Sequence, residues 1–176
     1  MEPRIYIETP RLLLRDWILS DHQVFIDMNK DERVMEFFPS VLNDEETLAS
    51  IGRIATQMDD LGYGLYAVQR KDDGRFIGFT GFYLTCFESH FTPCVEIGWR
   101  YSVDDWGQGF ATEAALACLD YNKKILKIKD IYSFTAVLNK RSERVMQKIG
   151  MQYQGTFDHP DIAEGHPLRP HVLYRY

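Results

Sequence analysis

The chain has 176 residues, 45% of them apolar, with a net charge of −6. This length suits one domain with one hydrophobic core, so we expect a single domain over residues 1–176, and disorder is disfavoured. There is no basic stripe for nucleic acid, no apolar run of the roughly 20 residues that a membrane span needs, and no apolar signal-peptide core, so a cytoplasmic protein without nucleic-acid or membrane partners is expected.

The three cysteines, Cys86, Cys94 and Cys118, cannot all pair within one chain. Their spacing fits no zinc pattern, and no histidine stands near them at ligand spacing. We therefore expect reduced, mostly buried thiols and no metal site. A catalytic thiol is the weaker alternative, because Cys118 falls in the middle of a predicted helix, where little lowers its pKa.

Seven strands and four helices are predicted, in the order β-α-α-β-β-β-α-β-α-β-β. The strands cover residues 11–15, 65–69, 75–84, 92–103, 131–137, 151–157 and 170–176. The helices cover residues 21–29, 44–61, 109–125 and 140–149. Because hairpins rather than crossover helices join the early strands, this order indicates one α/β (α+β) domain and not a repeated βαβ pattern.

Local signals mark where these elements begin and bend. The first two helices follow capping-box patterns, Ser20-x-x-Gln23 and Asn43-x-x-Glu46. Gly78 and Gly81 inside the third strand indicate a bulge or the close approach of another backbone. The fourth helix is predicted to have Asn139 as its N-cap, and Gly150 suits the left-handed position that ends it.

The fourth predicted strand, residues 92–103, alternates most clearly. One face carries large apolar residues: Val95, Ile97, Trp99, Tyr101 and Val103. Glu96 and Gly98 therefore point to the other face. This places a carboxylate in mid-strand, opposite the apolar set.

The most informative segment is residues 103–113, where a strand ends, a turn with Gly107 and Gly109 follows, and a helix begins. The first amides of a helix lack internal partners and carry a partial positive charge. Glycines allow an anion such as a pyrophosphate to approach the main chain closely. A Walker loop is excluded by the missing Gly-Lys-[Ser/Thr], and a dinucleotide fingerprint lacks its third glycine near Thr112. From spacing alone, a plain strand–helix turn without a ligand stays open.

Residues 106–113, Trp-Gly-Gln-Gly-Phe-Ala-Thr-Glu, resemble motif A of the GNAT acetyltransferases, above all in the branch related to RimJ and RimL. Three further segments resemble the same branch in the right order: residues 8–15, residues 96–99, and Asn139-x-x-Ser142 with residues 145–151. The resemblance runs from about Ile7 to Phe157. Trp106 stands where the wider family has Gln or Arg, which removes one side-chain donor.

The resemblance implies the GNAT fold: a mixed, mostly antiparallel sheet of about seven strands, splayed between the fourth and fifth, with about four helices. It also implies acetyl-CoA as cosubstrate and no metal. The pantetheine would pair with backbone at Ile97 and Trp99, near Asn139 and Ser142. The pyrophosphate would meet Trp106, Gly107, Gln108, Gly109, Phe110, Ala111 and Thr112. From its position alone, Asn139 is simply a helix cap.

The family mechanism is direct attack of a neutral amine on the thioester. Deprotonating a lysine costs about 4.6 kcal/mol at pH 7 and an α-amine only about 1.2, which favours a peptide or protein N-terminus as acceptor. Glu96 is the candidate base, acting through water, and Ser142 the candidate donor to the leaving thiolate, with Tyr132 and Tyr153 as alternatives. Two plainer interpretations stay open: Glu96 as a carboxylate paired with an Arg or exposed to solvent, and Ser142 as an ordinary serine in the first turn of a helix.

Three other possibilities stay open. The acceptor could instead be a small amine or an amino-sugar antibiotic, or the chain could be a non-catalytic acyl-CoA-binding domain. The resemblance also suggests a homodimer. The acceptor pocket is expected between the first two helices and the 83–93 and 158–169 loops. Four aromatics are candidates to line it, although for each of them a place in the core is the favoured alternative: Phe37, Phe38, Tyr63 and Tyr66.

Overall fold

The structure is a computed structural model that describes residues 2–176. Eight strands form one sheet in the order β1-β2-β3-β4-β5-β6-β8-β7. The strands are β1 Ile5–Glu8, β2 Leu12–Arg15, β3 Leu65–Arg70, β4 Phe76–Thr85, β5 Cys94–Tyr101, β6 Ile131–Ala136, β7 Gln152–Asp158 and β8 Pro170–Arg175. Only β5 and β6 pair in parallel, and every other neighbouring pair is antiparallel.

Four α-helices flank the sheet. They are α1 Leu19–Lys30, α2 Asp44–Leu61, α3 Phe110–Tyr121 and α4 Lys140–Lys148. A π-helical turn, Asn122–Leu126, extends α3. The predicted fold class, the seven strands and the four helices are therefore confirmed, and the one strand the prediction lacked is the edge strand β1. Only Ile7 of its four residues is buried, so its sequence carries little alternation.

The start of α1 differs from the prediction. The helix begins at Leu19, and the cap amide is that of Ile18, which donates to the Asp21 carboxylate at 3.0 Å, whereas the prediction had the Ser20 amide donating to the Gln23 side chain. The same carboxylate receives two bonds from Arg15, at 2.7 and 2.9 Å, and both side chains are buried. The Ser20-x-x-Gln23 box was wrong because Asp21 must both cap the helix and neutralise a buried arginine.

Other local predictions are confirmed. The Asn43 and Glu46 side chains form the reciprocal capping box of α2, with bonds of 2.9 and 2.8 Å. The close approaches at the two β4 glycines are also present. A Cβ at Gly78 would lie 2.1 Å from the Arg100 carbonyl oxygen, and one at Gly81 would lie 2.1 Å from that of Gly64.

The core lies on both faces of the sheet. On one face α3 and α4 pack against strand residues that include Ile97 and Tyr101. Ala114, Ala115 and Cys118 are fully buried there, and their small side chains bring α3 close to the strands. On the other face α1 and α2 cover a second cluster: Phe25, Met28, Val34, Met35, Ile51, Ala67, Phe76 and Phe79.

The cysteines are free thiols, with Cys94 and Cys118 buried and Cys86 exposed. Burial raises the pKa of Cys94 to about 12 and raises that of Cys118 further still. A thiol with so high a pKa holds almost no thiolate at neutral pH, so neither buried cysteine is suited to act as a nucleophile.

Candidate active site

The sheet opens between β5 and β6. These strands pair only at Val95 with Ile131 and at Glu96 with Tyr132. Beyond that point β5 continues to Tyr101, while β6 continues to Ala136 with β8 as its partner. The β6-facing edge of β5 after Glu96 therefore has no strand partner. An extended ligand can use such an edge as an added strand does.

The turn that joins β5 to α3 follows this opening. A short 3-10 turn, Val103–Asp105, is followed by Gly107 with φ of 73° and Gly109 with φ of 83°. These left-handed angles favour glycine. Within residues 2–176, none of the amides from 107 to 112 donates a hydrogen bond, and Glu113 is the first that does, to the Gly109 carbonyl at 3.0 Å. Six consecutive unpaired amides at a helix N-terminus suit an anionic group.

The side chains of this turn contact neighbouring backbone carbonyls and the core. The Trp106 indole donates to the Tyr101 carbonyl at 3.0 Å, and the Gln108 amide folds back onto the Asp104 carbonyl at 3.0 Å. Phe110 is buried in the core. These side chains fix the turn, which leaves main-chain donors as its exposed polar groups.

Arg11 is a structural residue of this turn that sequence reasoning missed. Its guanidinium donates to the Gln108 carbonyl at 2.9 Å and to the Glu113 carboxylate at 2.6 Å, and it lies 4.5 Å over the Phe110 ring. Burial tends to raise the pKa of Glu113, but hydrogen bonds from Thr9 and Arg11 outweigh it and lower that pKa. Arg11 is 97 residues from Gln108 in the chain, so no spacing pattern could have indicated the contact.

Asn139 and Ser142 meet at the start of α4. The Asn139 carboxamide oxygen accepts from the Ser142 amide at 3.1 Å, which confirms the predicted cap. Its nitrogen donates to the Ser142 hydroxyl oxygen at 3.2 Å and to the Thr135 hydroxyl at 3.0 Å. Because Ser142 accepts from Asn139, its own hydroxyl proton is free for another acceptor.

Glu96 lines a cavity of about 310 Å³ on the α1–α2 side of the sheet. Thr85 donates to its carboxylate at 3.1 Å, and no cation of residues 2–176 forms an ion pair with it. Burial raises the pKa of Glu96 to about 7, against the opposing effect of the Thr85 bond. A carboxylate with a pKa near neutrality can accept a proton and release it again.

The four aromatic residues considered for the acceptor pocket lie in different parts of the structure. Phe38 lines the cavity, together with Tyr83 and Trp99. Tyr66 is fully buried in the core, and the Tyr63 ring packs against Phe82 at a steep angle, so neither lines this cavity and the core alternative is the correct one for both.

Phe37 and the two candidate tyrosines lie elsewhere. Phe37 packs on a small cluster formed by Ala136 of β6 with Ile162 and Leu168 of the 158–169 loop. Tyr132 pairs with Glu96 at the last contact before the strands part. Tyr153 is 57% exposed on β7, which lies at the sheet edge.

No helix in the described chain has the length and apolarity to cross a membrane. Within residues 2–176, no group of three or more His, Cys, Asp or Glu side chains is arranged to hold a metal ion.

A sheet that parts between two strands, followed by a glycine-rich helix N-terminus with unpaired amides, has the geometry that suits an extended, phosphate-bearing cofactor. Residues 11–152 match the family described as the acetyltransferase (GNAT) domain. The chain therefore belongs to the GNAT acetyltransferases, and its resemblance to that family is confirmed.

Individual proteins agree with this assignment. The chain is 31% identical over 154 residues to Bacillus subtilis YnaD, an uncharacterized N-acetyltransferase, covering 87% of this chain and 86% of YnaD. A GNAT-family acetyltransferase from Bacillus anthracis is 27% identical, with a TM-score of 0.78 over 97% of this chain and 96% of that one.

The fold is also shared with a more distant enzyme. RimL, a ribosomal L7/L12 α-N-protein acetyltransferase solved with coenzyme A, is 16% identical, with a TM-score of 0.79 over 98% of this chain and 97% of RimL.

Proposed function

We propose that the chain transfers the acetyl group of acetyl-CoA to the N-terminal α-amine of a protein or peptide, by direct attack of the amine on the thioester. The observation that carries the proposal is Glu96, a carboxylate with a pKa near 7 at the point where β5 and β6 part. The fold shared with RimL, an α-N-protein acetyltransferase, supports this acceptor class and the RimJ/RimL-like branch.

The coenzyme would lie along the opening. Its pyrophosphate would accept hydrogen bonds from the unpaired amides of residues 107–112, each worth about 1.5–3 kcal/mol when the acceptor is charged. The pantetheine would pair with the free edge of β5 at Ile97 and Trp99. Asn139 and Ser142, at the start of α4, would lie near the thioester end.

The proton has a defined route in this arrangement. An α-amine with a pKa near 7.9 costs about 1.2 kcal/mol to neutralise at pH 7, so a weak base suffices. As the nitrogen–carbon bond forms and the carbon–sulfur bond breaks, Glu96 accepts the amine proton through water. The Ser142 hydroxyl donates a hydrogen bond to the leaving thiolate, which its bond from Asn139 leaves it free to do.

Glu96 also separates this proposal from that of a non-catalytic acyl-CoA-binding domain. An unpaired carboxylate held near its midpoint of ionisation is costly in a buried position and has no use in a domain that only binds. A small amine or amino sugar would use the same chemistry and differs only in the acceptor pocket. A homodimer and a cytoplasmic location stay predictions.

An acceptor screen tests the proposal. Release of coenzyme A thiol is followed with peptides whose N-terminus is free, with the same peptides N-formylated, and with polyamines and aminoglycosides. We expect turnover of the free peptides and none of the formylated ones. Turnover of the polyamines or aminoglycosides alone would overturn the peptide acceptor, and the absence of any acetyl-CoA-dependent rise in melting temperature would overturn coenzyme binding.

A further inference from the structure

The cavity beside Glu96 contains a second charged group that acetyl transfer does not use, the guanidinium of Arg100. It lies 4.2 Å over the Phe38 ring and 5.6 Å from that of Phe79. One nitrogen, Nη1, donates to the Asn29 side chain at 2.7 Å. Asn29 is neutral, so this contact leaves the positive charge of Arg100 uncompensated.

No carboxylate among residues 2–176 comes within ion-pairing distance of Arg100. Its Nε is buried without any hydrogen-bond partner, and Nη2 has no described acceptor either. Burial lowers the pKa of Arg100 to about 10, as expected for a desolvated cation with no anion beside it. An arginine kept in this state is costly to the fold, and a ligand that brings an anion removes the cost.

Nη2 is the donor of the guanidinium that a ligand can reach, because Nε on the same edge is buried and Nη1 is bonded to Asn29. A carboxylate that accepts from Nη2 would form a charge-assisted hydrogen bond. Arg53 of α2, exposed and without an ion pair among the described residues, lines the same cavity. The cavity is thus locally positive in a chain whose net charge is −6.

Arg100 and Glu96 lie on the same face of β5, because they are four residues apart in a strand. Gly98 lies between them on that face and also lines the cavity, so no side chain separates the two charged groups. A ligand that placed its amine at Glu96 would lie over Gly98 and extend toward Arg100.

We infer that the acceptor is a primary amine that also carries a carboxylate, which Arg100 binds while the amine faces Glu96. This inference rests on the proposed acetyl transfer and narrows its substrate class. For a peptide acceptor, a strand of one or two residues, at about 3.3 Å each, reaches from the amine toward Arg100. The carboxylate would belong to an Asp or Glu side chain at the second or third position.

The test uses pairs of peptides that differ only in charge: Asp against Asn, and Glu against Gln, at position two or three, each with an amidated C-terminus. Initial rates give kcat/KM for the wild type, Arg100→Met, Arg100→Lys and the control Arg175→Gln, whose exposed side chain lies outside the cavity. We expect the wild type and the control to prefer the acidic member at least about tenfold. Arg100→Met should reduce that ratio to about one, and Arg100→Lys should keep part of it.

A wild-type ratio near one, or a preference that persists in Arg100→Met, would overturn the inference while leaving acetyl transfer to peptides intact. If Arg100→Met fails to fold, the wild-type ratio and Arg100→Lys decide. If peptides are not acetylated but small amines are, the proposed acceptor fails, and the same ratio is measured on amino acids bearing a distal amine against their amides. Dissociation constants of the N-acetylated acidic and amide peptides, measured by calorimetry, give a readout that needs no turnover.

Discussion

The Thr85 hydroxyl donates a 3.1 Å hydrogen bond across neighbouring strands to Oε2 of Glu96. This bond favours the ionised carboxylate, whereas burial disfavours it, and burial prevails because the pKa of Glu96 rises to about 7. Thr85 therefore orients the carboxylate, but its bond does not lower the pKa of Glu96 enough to leave the group permanently ionised and weakly basic. Near pH 7 both the proton-accepting and the protonated forms are populated.

Replacing Glu96 by Gln should lower kcat by about 10²–10⁴-fold, the usual contribution of a positioned general base. The affinity for acetyl-CoA should change by less than about twofold, since none of the unpaired amides at residues 107–112 is altered. Thiol release gives the rate and calorimetry gives the affinity. Glu2→Gln, an exposed carboxylate that precedes β1 and lies outside the cavity, is the matched control. Unchanged turnover in Glu96→Gln would remove Glu96 from the mechanism.

The pH dependence of kcat/KM should show an acidic limb with its midpoint near 7. The raised pKa means that Glu96 is protonated and inactive below this value and ionised and active above it. Two acceptors whose amines differ in pKa separate this limb from titration of the amine, because the Glu96 limb is common to both. The limb should disappear in Glu96→Gln. A midpoint that moves with the acceptor alone would contradict this assignment.

Ionisation of Glu96 should act on stability and on activity in opposite directions: as pH rises, kcat/KM should increase and the free energy of unfolding should decrease. The folded pKa of Glu96, about 7, lies above the ordinary 4.5, so its neutral form is fully compatible with the fold below about pH 4.5. Stability is lost as pH rises from there through 7. Glu96→Gln should therefore match the wild type at pH 4 and exceed it at pH 8, by at most about 3 kcal/mol. Urea unfolding at both pH values measures this, and equal stability at pH 8 would contradict the burial of the charge.

Much of the architecture could be predicted from local patterns. The capping box at Asn43, the cap at Asn139 and the alternation in β5 each depend on residues a few positions apart, and the physics that fixes them is equally local. Gly107 and Gly109, in the turn before α3, likewise predicted the position of this turn, since both have left-handed angles that favour glycine.

What the sequence could not supply are the contacts between distant segments. Asp21 replaces the predicted cap because Arg15 is buried against it, and burial of that pair depends on the packing of α1 on the sheet. Arg11 reaches the turn at Gln108 only once β2 lies beside α3. No sequence pattern could have indicated that Nε of Arg100 is buried without a hydrogen-bond partner.

Gly107→Ala should weaken acetyl-CoA binding by at least about tenfold. Gly107 has φ of 73° with open space around it, and a Cβ there would enter the region where the unpaired amides meet an anion. The left-handed angle alone costs roughly 1–2 kcal/mol for a residue with a Cβ. Gly62→Ala is the matched control, because Gly62 also has φ of 73° and open space but ends α2.

Both glycine variants should lose similar stability in urea unfolding, and only Gly107→Ala should lose coenzyme affinity by calorimetry. Equal affinities in the two variants would show that the turn does not meet the pyrophosphate.

Asn139→Ala and Asn43→Ala remove helix N-caps of the same kind, each accepting from the amide three residues on. Each should cost about 1 kcal/mol of stability, the usual value of such a cap. Only Asn139 also donates to Ser142, so its loss frees that hydroxyl from its 3.2 Å bond and from its fixed orientation. We therefore expect kcat to fall about tenfold or more in Asn139→Ala and to stay within twofold in Asn43→Ala.

Ser142→Ala should reproduce the loss of kcat with little change in stability. If Ser142→Ala keeps full turnover, the thiolate must receive its hydrogen bond elsewhere, and Tyr132, paired with Glu96 where the strands part, is the next residue to replace.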